Sequence, residues 1–236
     1  LFFGTIARGY LGPTVTFSGL TGQRVQVAPQ TVRDITFGMK SQFFDRQVTL
    51  NANIFFDNYK NLQTSVFNGL EFLTENAGGF KAQGFEIDTS WRVSDNLSLS
   101  ASYTYSDMKF TDYITACPAS VTVLGAAAIA ATCNAPGSLP ATPLFQAKGE
   151  PLSGAPKHSA TFGADFNHDI NEALAFDASA NFYYRSRVDY AVGNPFQSQS
   201  GYGTIGVTAG IGDTDGKWRL GVFARNLLNE RFHAAV

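Results

Sequence analysis

The side chains with the greatest potential for metal or acid-base chemistry are the three histidines of this 236-residue chain. His158, His168 and His233 lie far apart in the sequence, and none has the spacing to another histidine or cysteine that zinc sites use. The sequence also lacks the Gly-x-Ser-x-Gly turn that presents a hydrolase nucleophile. It therefore predicts no catalytic site, no metal site and no cofactor.

The two cysteines, Cys117 and Cys133, fall in one segment that is rich in Pro, Ala and Gly. We expect a local disulfide, which would close a loop of about 15 residues and contribute on the order of 3 kcal/mol in the chain-entropy model. Such a bond indicates an oxidising compartment, such as the periplasm or the cell surface. The alternative is a pair of free thiols. The composition of the segment predicts a stapled, mobile lid.

Charged residues recur at the spacing that places side chains on one face of a strand. The two sets are Glu86, Asp88 and Arg92, and Asp177, Arg185 and Arg187. One interpretation is a polar track that contacts an anionic ligand. The other is ordinary pairing and solvation of a polar face.

Aromatic residues follow the second charged set. Tyr190, Phe196 and Tyr202, together with Arg185 and Arg187, are candidates for a ligand-binding mouth. Aromatic rings supply contact area, and guanidinium groups pair with carboxylates or catecholates. The alternative is that these rings only pack loops or form an interfacial girdle.

The overall composition indicates strands rather than helices. Only 15% of residues are charged, against about 25% in a typical soluble domain. The most apolar run, residues 125–131, is far shorter than the roughly 20 residues of a membrane-spanning helix. Because Lys and Arg number 17 and Asp and Glu 19, the chain lacks the basic surface that nucleic acids require. With 23 Gly and 14% aromatic residues, we expect an all-β chain.

Apolar and polar residues alternate along several long segments. The clearest is 96–106, where Leu97, Leu99, Ala101, Tyr103 and Tyr105 alternate with Ser and Thr. Nine strands are predicted in all, at residues 1–10, 32–41, 46–67, 84–93, 96–106, 157–167, 174–185, 201–212 and 217–228. Several reach the roughly 9 to 11 residues that cross a bilayer at a tilt, whereas ordinary strands average about 5 to 6.

The connections between these strands alternate in length. Short links are expected at residues 42–45, 94–95, 168–171 and 213–216. Longer segments lie between them, at residues 12–31, 111–156 and 189–200, with a hairpin tip near Asn68 and Gly69. Short turns at one end and long loops at the other are typical of an antiparallel transmembrane β-barrel. A soluble β-sandwich is the alternative, but its strands are usually shorter and its loops lack this asymmetry.

Several segments resemble the β-barrel of TonB-dependent outer-membrane receptors. Residues 34–45 followed by 48–63 are similar to that family's paired strands around a periplasmic turn. Residues 75–86 contain its Asn-Ala-Gly and Gly-hydrophobic-Glu pattern, and residues 222–232 resemble its penultimate strand. The Ala-Arg-Gly-Tyr element at residues 7–10 also resembles the family, although Leu11 stands where a basic residue is common.

The resemblance implies a 22-stranded barrel in the outer membrane of a Gram-negative bacterium, plugged by an N-terminal domain. Its partners are TonB, outer-membrane lipid, the remaining part of the same receptor and a small nutrient, such as a ferric siderophore or another iron complex. We expect residues 1–236 to be the C-terminal part of that barrel, strands thirteen to twenty-one, without the plug, the first half or the last strand. The polar track would then line the lumen and contact the plug or the cargo.

Two other functions are also compatible with the sequence. One is a passive porin-like or structural barrel without a plug, and the other is a secreted β-rich adhesin. An upstream plug domain would favour active import, whereas detergent-free solubility would favour the adhesin. None of the three is an enzyme.

Overall fold

Segments in which apolar and polar side chains alternate form one antiparallel sheet of nine long strands in the computed structural model. The structure describes residues 1–67, 71–139 and 143–233. In chain order the elements are β1 (Phe2–Leu11), β2 (Thr14–Phe17), β3 (Arg24–Val27), β4 (Gln30–Phe43), β5 (Val48–Lys60), β6 (Gln63–Phe67), β7 (Phe72–Asn76), β8 (Gly79–Arg92), β9 (Leu97–Asp112), β10 (Ile114–Ala116), α1 (Ala119–Thr122), α2 (Ala126–Thr132), β11 (Leu144–Gln146), β12 (His158–Asp169), β13 (Leu174–Arg185), β14 (Val188–Asp189), β15 (Ser198–Gln199), β16 (Tyr202–Asp213) and β17 (Arg219–Ala224). The all-β, antiparallel prediction is confirmed.

The large sheet is a simple meander of the long strands. Its order is β1-β4-β5-β8-β9-β12-β13-β16-β17, so each long strand pairs with the next one along the chain. The short strands form four separate two-stranded sheets in the long connections. Residues 44–47, 93–96, 170–173 and 214–218 make the short turns at the other end. The predicted alternation of connection lengths is therefore present in the fold.

The register of the sheet sorts its side chains onto two faces. On the apolar face Leu99 lies between Trp91 and Ala164 of the neighbouring strands. This face is open, since Phe37 is 53% exposed and Ile54 is 47% exposed. A soluble monomer rarely exposes so large a contiguous apolar surface. The exposure contradicts a sandwich, in which this face would be the core, and matches a wall in contact with lipid.

The predicted strand at residues 46–67 is wrong in one respect, because the structure divides it. Strand β5 ends at Lys60, and Asn61 adopts a left-handed backbone with φ 54°. Asparagine tolerates this conformation better than other non-glycine residues, and the Asn61 side-chain amide donates to the Pro29 carbonyl at 3.2 Å. β6 then pairs with β7 in a separate hairpin. The predicted tip at Asn68 and Gly69 lies outside the described residues.

The last predicted strand, residues 217–228, is also shorter in the structure. Strand β17 ends at Ala224, and Asn226 follows with φ 48°. The Asn226 side chain accepts a hydrogen bond from the Glu230 amide and donates one to the Glu230 carbonyl, at 2.9 and 2.8 Å. These bonds hold a turn where alternation alone predicts a continuing strand.

The long connections fold together over the polar face at one end of the sheet. A buried cluster joins strand ends to loops through Ala77, Phe80, Ala82, Phe110, Tyr113 and Ala147. Phe80 stacks on Tyr59, with ring centroids 4.2 Å apart. None of the helices in the described part of the chain is long and apolar enough to cross a membrane.

Candidate functional site

The polar face carries the first set of predicted charged residues. Glu86 accepts a hydrogen bond from the Asn53 side chain at 3.1 Å, and Asp88 accepts one from Asn51 at 2.8 Å. Arg92 ends the same strand near the short turns. These three side chains therefore follow the sheet wall, and they do not join the loops at the far end.

One residue from each charged set lies at the same level of the sheet. Glu86 is opposite Thr104, Thr104 is opposite Ser159, and Ser159 is opposite Arg185. Three strand spacings separate Glu86 from Arg185, which is about 14 Å. Strand register thus places the Glu86 carboxylate and the Arg185 guanidinium in one row of the polar face, although the two residues are far apart in sequence.

Arg185 is the best-placed of the predicted binding residues. Its guanidinium carbon lies 5.9 Å from the centroid of the Tyr202 ring, and Tyr202 stacks on Phe232 with 4.1 Å between centroids. The Arg185 Nε is buried and has no hydrogen-bond partner among the described residues. A cation held over an aromatic ring with spare donor capacity is suited to an anionic ligand.

The sequence predicts that Arg187 shares a strand face with Asp177 and Arg185. The prediction is wrong for Arg187, because β13 ends at Arg185. Its guanidinium instead bonds Asp189, with Nη2 2.8 Å and Nε 3.1 Å from the same carboxylate oxygen. Asp177 pairs with Arg219, whose Nε lies 2.7 Å from its carboxylate. Both pairs are exposed, so each contributes little to stability.

Gly210 explains how Arg219 reaches Asp177 across an intervening strand. Asp177 is opposite Gly210, which is opposite Gly221 on β17. A Cβ at Gly210 would lie 2.7 Å from the Arg219 guanidinium carbon. The missing side chain therefore leaves the space through which this arginine extends.

The two aromatic residues predicted in the last long loop have different environments. The Tyr190 hydroxyl donates to the His233 carbonyl at 2.5 Å, whereas Phe196 is 82% exposed. The exposed Phe196 ring is therefore accessible to a ligand. The Tyr190 hydroxyl instead binds the segment that follows β17. The ring that stacks on Tyr202 is that of Phe232, and the ring beneath Arg185 is that of Tyr202.

A recess of about 360 Å³ lies between the cysteine-bearing connection and the last long loop. We call it the loop recess; its lining includes Thr132, Phe145, Glu150, Arg187 and Asn194. Sequence reasoning identified only Arg187 among these residues. The others come from connections distant in sequence, and only loop packing brings them together.

The cysteine-bearing connection is folded against the sheet. Cys117 and Cys133 are joined by a disulfide, with Cα atoms 5.6 Å apart. Tyr113 at the start of the connection is 8% exposed, and burial raises the pKa of its phenol. The Ser120 hydroxyl donates to the Gly193 carbonyl of the neighbouring loop at 3.5 Å. These contacts make the connection one wall of the loop recess.

Comparisons with known proteins agree with this architecture. A family model described as "TonB dependent receptor-like, beta-barrel" matches residues 1–227. No curated protein sequence matches the chain.

Solved structures of bacterial receptors share the fold at low sequence identity. The ferric yersiniabactin uptake receptor FyuA from Yersinia pestis is 16% identical, with a TM-score of 0.72 over 99% of this chain and 30% of that protein. The ferric preacinetobactin receptor BauA from Acinetobacter baumannii is 14% identical, with a TM-score of 0.64 over 98% and 30%. The siderophore receptor PiuA from the same species is 20% identical, with a TM-score of 0.60 over 97% and 30%.

The chain therefore spans about a third of the length of these receptors. The family model covers nearly all of the chain, and the nine-stranded sheet has the exposed apolar face and the unequal ends of an outer-membrane wall. The chain belongs to the TonB-dependent receptor family of Gram-negative outer-membrane proteins, and it forms part of the β-barrel domain.

Proposed function

We propose that this chain is part of a receptor that imports a ferric siderophore across the outer membrane, using energy relayed by TonB. The observation that carries the proposal is the pairing of a lipid-type apolar face with long loops that fold into the loop recess. Passive porins need an open passage, whereas folded loops with cations and aromatic rings are suited to capturing a ligand. Among the similar proteins, FyuA is a ferric yersiniabactin uptake receptor and BauA is a ferric preacinetobactin receptor.

In this proposal residues 1–236 form the C-terminal part of the barrel domain. The plug, the TonB-contacting segment and the other barrel strands belong to the rest of the receptor. This chain covers about 30% of the length of each similar receptor, which supports its being one part of a barrel domain. The polar row that contains Glu86 and Arg185 would then face the plug or the departing cargo.

Arg185, Arg187 and Phe196 are the residues that we propose for ligand contact. A ferric siderophore that carries carboxylates or catecholates presents anionic oxygens, which guanidinium groups bind with charge-assisted hydrogen bonds. Arg187 is already paired with Asp189, so a ligand must compete for it or share it. The Arg185 guanidinium is less engaged, because it makes no ion pair with another described residue and its printed contact is with the Tyr202 ring.

The test is uptake of radiolabelled iron, presented with a panel of siderophores, by iron-starved cells that carry the receptor. We expect uptake of at least one ferric siderophore to require both the receptor and TonB. Arg185→Gln should raise the half-saturating siderophore concentration about tenfold, as expected for the loss of about 1.4 kcal/mol of binding. Arg46→Gln, in an exposed turn at the opposite end, should leave it unchanged.

Two results would contradict the proposal. Receptor-dependent uptake that persists without TonB would indicate a passive pore. Recovery of the protein in a soluble extracellular fraction without detergent would indicate the adhesin alternative.

A further inference from the structure

A hollow of about 420 Å³ lies on the polar face of the neighbouring strands β13, β16 and β17. Gly206 lies opposite Asn181, and Gly210 lies opposite Gly221. These three glycines add no side chain, so the sheet surface is recessed between its neighbours. We call this space the polar-face hollow. Its polar-face lining comprises Ser179, Asn181, Gly206, Thr208, Arg219, Gly221, Phe223 and Arg225.

The described lining of the polar-face hollow contains hydrogen-bond donors and no carboxylate. The hydroxyl oxygens of Ser179 and Thr208 lie 2.6 Å apart and share one hydrogen bond. That bond uses one of the two hydroxyl protons, so the other proton is available to a ligand. The Asn181 side-chain amide makes no hydrogen bond with another described residue. These groups can all donate to an anion.

Two arginines determine the charge of the polar-face hollow. Arg219 is neutralised by Asp177, since its Nε lies 2.7 Å from that carboxylate. Arg225 is exposed, and its guanidinium carbon lies 5.7 Å from the centroid of the Phe223 ring. Arg225 makes no ion pair with an acidic residue in the described part of the chain. The hollow therefore carries one uncompensated positive charge, held over an aromatic ring.

The polar-face hollow is separate from the loops that we propose for ligand capture. Strand register places Arg225 at the level of Asn181. Asn181 lies four residues from Arg185 along β13, in the direction of the short turns. That separation is about 13 Å along an extended strand. A ligand that leaves the loops and moves along this face therefore reaches Arg225 after Arg185.

We propose that the polar-face hollow is a second anion-binding site, which holds a carboxylate of the imported ligand after the ligand leaves the loops. The Arg225 guanidinium and the Asn181 amide donate to the carboxylate oxygens, and the hydroxyl pair of Ser179 and Thr208 supplies a further donor. The identity of the occupant rests on the proposed function. The preference of the hollow for anions does not, so it can be measured separately.

The first test measures the charge preference of the hollow in the full receptor, purified in detergent. Thr208→Cys places a free thiol in the hollow, whereas Cys117 and Cys133 are linked to each other. The thiol is treated with a sulfonate-bearing or a trimethylammonium-bearing methanethiosulfonate, and its modification is followed by mass spectrometry of its peptide. Each rate is divided by the rate with free cysteine. We expect the anionic reagent to react at least tenfold faster on this scale.

Variants separate the hollow from general surface charge. Arg225→Gln should reduce the anion preference to less than twofold, and Arg225→Lys should retain it. Arg46→Gln removes a charge from an exposed turn and should leave the preference unchanged. Ser102→Cys, which lies opposite Asp88 on the same face, should instead favour the cationic reagent. Equal rates of the two reagents at Thr208→Cys would overturn the proposal, and so would a thiol that reacts with neither because another part of the receptor covers it.

The second test asks whether the imported ligand uses the hollow, by measuring iron uptake with a carboxylate-bearing ferric siderophore. Arg225→Gln should lower the maximal uptake rate at least fivefold and change the half-saturating concentration less than twofold, the reverse of the effect expected for Arg185→Gln. An unchanged maximal rate, with TonB-dependent uptake intact, would overturn this proposal and leave the proposed function standing. If Arg225→Gln does not reach the outer membrane, the comparison of the two reagents at Thr208→Cys decides the question.

Discussion

At Gly84, the absence of a side chain lets β8 and β9 approach closely. An added Cβ would lie 1.9 Å from the Tyr105 carbonyl oxygen and 2.9 Å from the Phe55 ring. The backbone oxygen cannot move without disturbing the β8–β9 ladder. This position therefore has a steric reason to be glycine that is independent of any ligand.

We expect Gly84→Ala to destabilise the barrel by about 1 to 3 kcal/mol or more, the range for overpacking in a tight site. Unfolding in urea, followed by the loss of heat-modifiable migration in gels, measures the change. Gly12→Ala is the matched control, because its Cβ would meet nothing within 4 Å. Equal stability of the two variants would contradict the close approach.

Residue-level partners were only partly predictable from the sequence. The alternation in residues 174–185 placed Arg185 on the polar side, and the register agrees. It could not show that Asp177 pairs with Arg219, since that contact depends on the β13–β16–β17 register and on the space at Gly210. Because the register of separate strands selects this partner, the sequence around Asp177 contains no pattern that predicts it.

Among the elements, β9 displays the two faces of the sheet most clearly. Ala101 lies opposite Thr89 and Phe162 on the apolar face, whereas Ser100 lies opposite Ser90 and Gly163 on the polar face. Lipid and water are therefore expected on opposite sides of adjacent residues.

We expect Ala101→Arg to cost about 2 to 4 kcal/mol, the range for arginine on the lipid side near the bilayer midplane. Ser100→Arg is the control and should cost much less, because Gly163 leaves space and the lumen is polar. The free energy of unfolding from lipid vesicles measures both. A larger penalty at Ser100 than at Ala101 would reverse the assignment of the faces.

The cysteine-bearing connection is the second element with a direct test. We predict that Cys117 and Cys133 form a disulfide in the mature protein, because the long loops face an oxidising space. Peptide mapping without reductant should recover the linked pair, and the same digest after reduction should release both peptides. Alkylation of both thiols in native, unreduced material would contradict this prediction.

Element boundaries followed hydrophobic alternation until local polar bonds intervened. Alternation predicts one strand across residues 46–67, but the left-handed Asn61 ends β5. It also misses the extension of β9 to Asp112, where Phe110 packs into the buried cluster. The helices α1 and α2 were not predicted, since each is too short to show a periodic pattern.

At the scale of the whole molecule, one sheet separates two environments, and one end of it carries the long loops that we propose for ligand binding. The apolar face is exposed, the polar face carries the row from Glu86 to Arg185, and the long loops form the loop recess. Long strands and alternating connections made this architecture predictable from sequence. The loop recess was not predictable, because its lining comes from connections whose mutual packing has no sequence period.

The most direct test of the transmembrane assignment measures the surroundings of two adjacent residues in the receptor reconstituted in lipid vesicles. Nitroxide labels are placed singly at Leu99 and at Ser100, and their collision rates with oxygen and with a water-soluble nickel chelate are compared by electron paramagnetic resonance. The transmembrane assignment predicts that the Leu99 label collides mainly with oxygen, which concentrates in lipid, and that the Ser100 label is protected from it. A Leu99 label that is shielded from oxygen by protein packing would contradict the transmembrane assignment and the import function that we propose from it.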